Sequence, residues 1–285
     1  YYRQVVNEFT VNLRNKFIAR ARHGLGITLI IRARKMRWQD GKPLIEESLD
    51  HLKFAALLRR EFWRKEETVI SLRRDWIITQ NALGIAYYTF GERESDMNIV
   101  GLAIGAYEKT LTGNKQSPEQ VPLPIYNSLG GAYLLLAETN NSRDDYARAL
   151  KVFDKALKFI DEGKRPFISA IFKANRGIAL HGLGKIDGVP RRLKDAESCF
   201  RKATRIITFE KYPFHNTVVR SDWGNLLIDS GLLNKNLGDL NQAEALLHRA
   251  RAFFRKHRNA HRLHEVQIRL TRAQTIRSQM AIVGR

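Results

Sequence analysis

Residues 149–156 read ALKVFDKA, residues 196–203 read AESCFRKA and residues 243–250 read AEALLHRA. In each, an alanine, a large apolar residue four places on and a second alanine three places later fall on one face of a helix. Ala103, Tyr107 and Thr110 keep the same spacing upstream, so the four segments begin 46, 47 and 47 residues apart. A period of this size, with 3.6-residue patterning inside each unit, marks a stacked array of helical hairpins.

The partner helix of each hairpin lies just upstream and carries a glycine. The strings are Leu83-Gly84-x2-Tyr87, Leu129-Gly130-x2-Tyr133, Arg176-Gly177-x2-Leu180 and Ser230-Gly231-x2-Asn234. Small residues let the two helices approach, and the large residue fills the space between them. From Gly231 to Ala243 is 12 residues, against 19 in the first three hairpins. This reading therefore expects about seven extra turn residues in those three, at Glu92–Asn98, Thr139–Asp145 and Lys185–Arg191. It also expects Gly91, Gly184 and Gly238 as left-handed caps, and Trp76 and Trp223, each eight residues before its glycine, as matched packing positions.

Trp76, Asn81, Leu83-Gly84 and Gly91-Glu92-Arg93-Glu94, followed by the alanine pattern, resemble the tetratricopeptide repeat (TPR) family in its extended bacterial-type form. The resemblance spans about 75–257 and implies an all-α, right-handed α-solenoid of about five TPR-like hairpins plus a C-terminal capping helix. Helices are expected over about 5–38, 43–62, 68–91, 98–113, 122–138, 143–162, 167–184, 191–208, 216–237, 240–257 and 261–281. Leu44–Phe62 reads as one more second helix, with Phe17–Trp38 before it, although the Leu-Gly spacing is lost there. Three regions result: a basic N-terminal part at 1–74 with one degenerate hairpin, four repeats at 75–257, and a basic cap at 258–285.

Charge is the other strong signal. The 285 residues hold 49 Lys and Arg against 29 Asp and Glu, a net of +20. Residues 1–74 carry +9, residues 75–150 carry −4 and residues 151–285 carry +15. Such a chain is drawn to anionic partners. Two acid-poor stretches concentrate the excess. Arg14–Arg37 includes Arg32, Arg34, Lys35 and Arg37. His248–Ser278 includes Arg249, Arg255, Lys256, Arg258 and Arg262, with Phe253 and Phe254 among them. These two stretches form the expected basic face.

The search for reactive motifs is negative. No phosphate loop, dinucleotide fingerprint, H-E-x2-H or G-x-S-x-G occurs. No catalytic, cofactor-binding or metal-binding residue is assigned, and no cofactor. Paired acids such as Glu66-Glu67 and Asp144-Asp145 read as solvated. His257, His261 and His264 have helical spacing, but Arg255, Lys256, Arg258 and Arg262 surround them and disfavour a cation. Cys199 reads as a buried thiol in a reducing compartment. The apolar run Gly24–Ile31 is far too short to span a membrane.

A TPR array implies a partner groove along its first helices. The residues expected there are Thr79, Asn81, Ile85, Tyr88, Tyr126, Asn127, Leu134 and Lys173. The Lys and Asn clamp of the family's chaperone-binding members is missing, because Asn81 and Ile85 hold those places. The expected function is a non-catalytic scaffold or adaptor inside a multi-subunit complex, with its basic ends toward an anionic partner. The alternatives are an RNA-binding helical-repeat subunit of a ribonucleoprotein and the sensor arm of a multidomain signalling protein. The expected location is intracellular and soluble, in the cytoplasm or an organelle matrix. Because the chain starts at Tyr1, it is expected to be processed or part of something longer.

Overall fold

The computed structural model describes the backbone of residues 2–65, 70–113 and 122–283, and side chains over 15–65, 71–112 and 122–280. Glu66-Glu67 therefore lie outside the described residues. Eleven helices and no strand occur among the described residues: α1 (Tyr2–Arg34), α2 (Trp38–Lys65), α3 (Ile70–Glu94), α4 (Met97–Gly113), α5 (Leu123–Asn140), α6 (Arg143–Leu157), α7 (Pro166–Asp187), α8 (Pro190–Ile206), α9 (Pro213–Asn234), α10 (Leu237–Lys256) and α11 (Ala260–Val283). No described helix is long and apolar enough to cross a membrane.

The chain divides into two compact units, Tyr1–Leu136 and Ala137–Arg285. In the first, α1 packs on α2, α2 on α3 and α3 on α4, and α1 also meets α3. In the second, each helix from α6 to α11 packs on the next, while α7 meets α9 and α9 meets α11. The divisions expected near 74 and 257 fall where helices are packed together, α2 against α3 and α10 against α11.

Within the hairpins, glycine does what the spacing requires. A Cβ at Gly84 would lie 2.4 Å from the Tyr107 ring, one at Gly177 would lie 3.2 Å from Phe200, and one at Gly224 would lie 3.0 Å from Leu247. The template's large residue thus sits on a glycine of the facing helix. For the last hairpin that glycine is Gly224, which corrects the reading of Gly231. Gly224 stands 19 residues before Ala243, as Gly84 stands before Ala103 and Gly177 before Ala196. All three of these hairpins have equal arms, so the expected insertion in the earlier turns does not exist. Gly231 belongs lower in the hairpin, where a Cβ would meet Leu240 at 2.9 Å, as Gly91 faces Val100 and Gly184 faces Leu193. Trp223 is therefore matched to Leu83 and Arg176, and Trp76 is not its equivalent.

The first hairpin obeys the same rule. A Cβ at Gly26 would come within 2.6 Å of Leu52, and Ser48, Leu52 and Ala55 reproduce the alanine template with serine in the first place. Ser48 is fully buried there. Its hydroxyl donates to the Gly26 carbonyl at 2.9 Å, which removes the cost of burying it.

The turns between paired helices are also periodic. Left-handed residues occur at Ser95 (φ 55°), Asn141 (φ 49°), Gly188 (φ 63°) and Lys235 (φ 51°), spaced 46, 47 and 47 apart. The next residue starts the second helix. Asp96 Oδ1 accepts from the Asn98 and Ile99 amides, Ser142 Oγ from Asp145 N, and Asn236 Oδ1 from Gly238 N. Val189 has no such side chain, and Pro190 opens that helix instead. The expected caps at 91, 184 and 238 are thus displaced. Gly91 and Gly184 lie inside α3 and α7, and Gly238 lies in the first turn of α10.

A buried polar node ties α2 to α3. Arg59 is 8 % exposed and donates to the Asp75 carbonyl at 2.9 Å and to Thr79 Oγ1. The charge of this node acts on His23 of α1. Burial, reinforced by the Arg59 charge and opposed by Asp75, lowers His23 from its ordinary 6.5 to about 4. A histidine depressed in this way stabilises the fold only while neutral. Its contribution is complete above pH 6.5 and disappears as pH falls toward about 4. Melting temperatures should therefore fall over that interval, and His23→Gln should flatten the slope there.

Candidate partner-binding grooves

Of the eight expected groove residues, three are buried. Thr79 is buried and accepts from Arg59. Tyr126 is 0 % and Leu134 8 % exposed. These three face inward and cannot line an open groove. Ile85 packs against the core of the first unit, and Asn81 and Asn127 are half-buried. Tyr88 is half-buried and its hydroxyl donates to Glu92 at 3.3 Å. Lys173 is ion-paired with Glu162 at 2.7 Å.

Of the expected basic face, Arg34 is engaged by Thr89 at 2.8 Å, Arg37 by Asp40 at 3.2 Å and Arg262 by Glu265 at 2.9 Å. Arg32, Lys35, Arg249, Arg255, Lys256 and Arg258 are exposed and make no ion pair among the described residues. The three histidines do not share a helix. Arg258, at φ 52°, separates His257 from α11, and Asn259 Oδ1 caps that helix by accepting from Arg262 N. His257 rests on Phe253 with ring centroids 4.2 Å apart, and His261 pairs with Glu265 at 3.2 Å. No three His, Cys, Asp or Glu side chains gather in a metal-holding arrangement among the described residues.

Each unit carries an open groove that the sequence reading missed. In the first unit a cleft of about 700 Å³ runs between α2 and α4 with α3 as its floor. Among the described residues its cations are Lys53, Arg60, Arg64 and Lys109, and no Asp or Glu lines it. Leu57 is 58 % and Leu102 55 % exposed beside it. In the second unit a cleft of about 800 Å³ lies over α9 and α10, with Arg220, Arg249, Lys256 and His257 around it and Glu210 as its acid. Phe209, half of its surface exposed, meets Phe253 edge-on at 6.0 Å, and Phe253 in turn carries His257.

The first helices of the second unit are joined by an ionic seam. Asp229 of α9 is buried. It accepts from His181 of α7 at 2.7 Å and from Arg272 of α11. Burial works to raise its carboxyl, but the bonds from His181 and Arg272 outweigh it and hold the group at about 2. Arg269 of α11 donates to Asp222 of α9 at 2.9 Å, and Arg277 pairs with Glu244 of α10 at 3.1 Å. Asp222 and Arg269 stand 47 residues apart, one full period. That spacing was the available signal for their meeting.

No protein-family model and no curated protein matches the chain. Among solved structures, the crystal structure of BtubC (BKLC) from P. vanneervenii is similar with a TM-score of 0.40 and 19% identity, over 85% of this chain and 92% of that one.

Proposed function

We propose that this chain is a non-catalytic scaffold, a right-handed solenoid of TPR-type hairpins that binds protein partners within a larger assembly and turns cationic surface toward an anionic one. The cationic cleft over α2, α3 and α4 carries this reading, because its described lining joins four cations and no acid to two exposed leucines on a helical base. Equal hairpin arms and periodic turns support the repeat assignment. Interfaces of this kind combine apolar anchors with a polar rim that sets partner choice.

Capture on the immobilised chain from extract with and without nuclease treatment, at about 50 and about 200 mM salt, tests the reading. A stoichiometric protein partner that survives nuclease supports it. Recovery of nucleic acid alone, lost on nuclease treatment, overturns it in favour of a ribonucleoprotein subunit. That second reading draws on the Phe209, Phe253 and His257 rings among Arg220, Arg249 and Lys256 in the second unit, an arrangement suited to single-stranded RNA.

A further inference from the structure

We infer that the α2–α4 cleft takes one particular ligand, an acidic amphipathic helix laid along α4. The inference rests on the scaffold reading and names its partner's chemistry. Gly101 and Gly105 are one helical turn apart on α4, and a Cβ added at either meets nothing within 4 Å. A foreign backbone can therefore come close to α4 at these two places, as it does wherever small residues line a helix–helix contact. Leu57 and Leu102 stand on the two walls, more than half exposed, and offer an apolar contact on each side.

Charge selects the ligand's sign. Lys53, Arg60 and Arg64 rise from α2 and Lys109 from α4, with no carboxylate among the described lining residues to balance them. Among the described residues none of these four makes an ion pair, although Lys53 leans 5.9 Å over the Tyr87 ring. On the floor, Trp76 is 7 % exposed and its Nε1–H has no acceptor. Glutamates flanking a leucine stripe would answer the cations, while the leucines meet Leu57 and Leu102.

A single-stranded nucleic acid fits less well. Base stacking needs an open aromatic face. Trp76 is buried, Trp63 tilts onto Trp76 at 5.1 Å with Arg73 over its ring, and Lys53 lies over Tyr87.

The test uses the whole chain and a labelled synthetic peptide of about 18 residues, long enough to hold a helix in water, with leucines at i, i+4 and i+7 and glutamates on both flanks. Gly105→Leu is the first variant. It fills open space and replaces a mid-helix glycine, so it favours the helix while obstructing the approach. Arg60→Glu is the second. The peptide should bind, its lysine counterpart should not, and each variant should weaken binding about tenfold or more with helical content unchanged by circular dichroism. Failure of the peptide to bind, or binding indifferent to Gly105→Leu, overturns the inference. So does an RNA oligonucleotide that binds in its place and is displaced by the same variants. A protein captured from nuclease-treated extract that ignores Gly105→Leu would leave the scaffold reading standing and remove this one alone.

Discussion

Replacing Asp229 with alanine should cost the second unit about 3 kcal/mol, the lower part of the range for removing one partner from a buried ion pair, since Arg272 is a third exposed and solvent recovers some of its loss. Asp229 is the point where three first helices meet. Without it, His181 Nε2 loses its hydrogen-bond partner, and Arg272 no longer ties α11 to α9. The α11 helix would then rest on Val266, Leu270, Ala273 and Ile276 and on the Arg269–Asp222 and Arg277–Glu244 pairs. Hydrogen exchange should accelerate over α11 before it does over α7 or α8. Asp229→Asn, which keeps an oxygen acceptor for Arg272, should cost less. The pH signature follows from the depressed carboxyl. Its contribution is complete above the ordinary 3.8 and is lost as pH falls through about 2, so the alanine variant should lack that last acid step. A variant with unchanged stability and unchanged exchange at α11 would show that the seam does not hold the helix.

Phe200→Ala should be as damaging, at about 3–5 kcal/mol by urea denaturation. Phe200 is fully buried, lies against Gly177, and shares its cluster with Val219 and Leu226 of α9. The cavity would therefore be felt in the next hairpin as well as in its own. Phe200→Leu should cost roughly 1 kcal/mol, because the following hairpin uses Leu247 at the matching place over Gly224. That comparison separates the hairpin rule from a general dislike of core truncation. If Phe200→Ala costs under about 1 kcal/mol, the large-residue-on-glycine contact is not what pins the helix pair.

The helices of the described residues were legible because the apolar period is strong and because Pro166, Pro190 and Pro213 stand at the starts of α7, α8 and α9. Register in the last hairpin was not. Gly224 and Gly231 are seven residues apart, two helical turns, and so face the same way. Letters alone do not say which of them meets Leu247, although holding the interval of 19 constant would have chosen Gly224. The first hairpin was read only as a degenerate one because serine stands where alanine is expected and because its matched positions lie three residues farther apart, with 12 residues from Ala33 to Ile45 against 9 from Gly231 to Leu240. Its marker, Leu25-Gly26, was present throughout. The clefts were illegible for a different reason. Lys53, Trp76 and Gly105 lie on three separate helices, and nothing in their spacing announces that α2 and α4 leave a gap. The buried places of Thr79, Tyr126 and Leu134 likewise depend on which side of a helix the neighbours cover.

Ser95, Asn141, Gly188 and Lys235 have almost nothing in common as side chains, yet all four adopt one unusual torsion at matching points of the chain. The geometry of the joint is imposed by the arms on either side of it, and the occupant merely tolerates the twist, glycine most easily and lysine least. The most regular mark of this molecule is therefore an angle rather than a letter, and two such chains could share their whole design while agreeing at none of these positions.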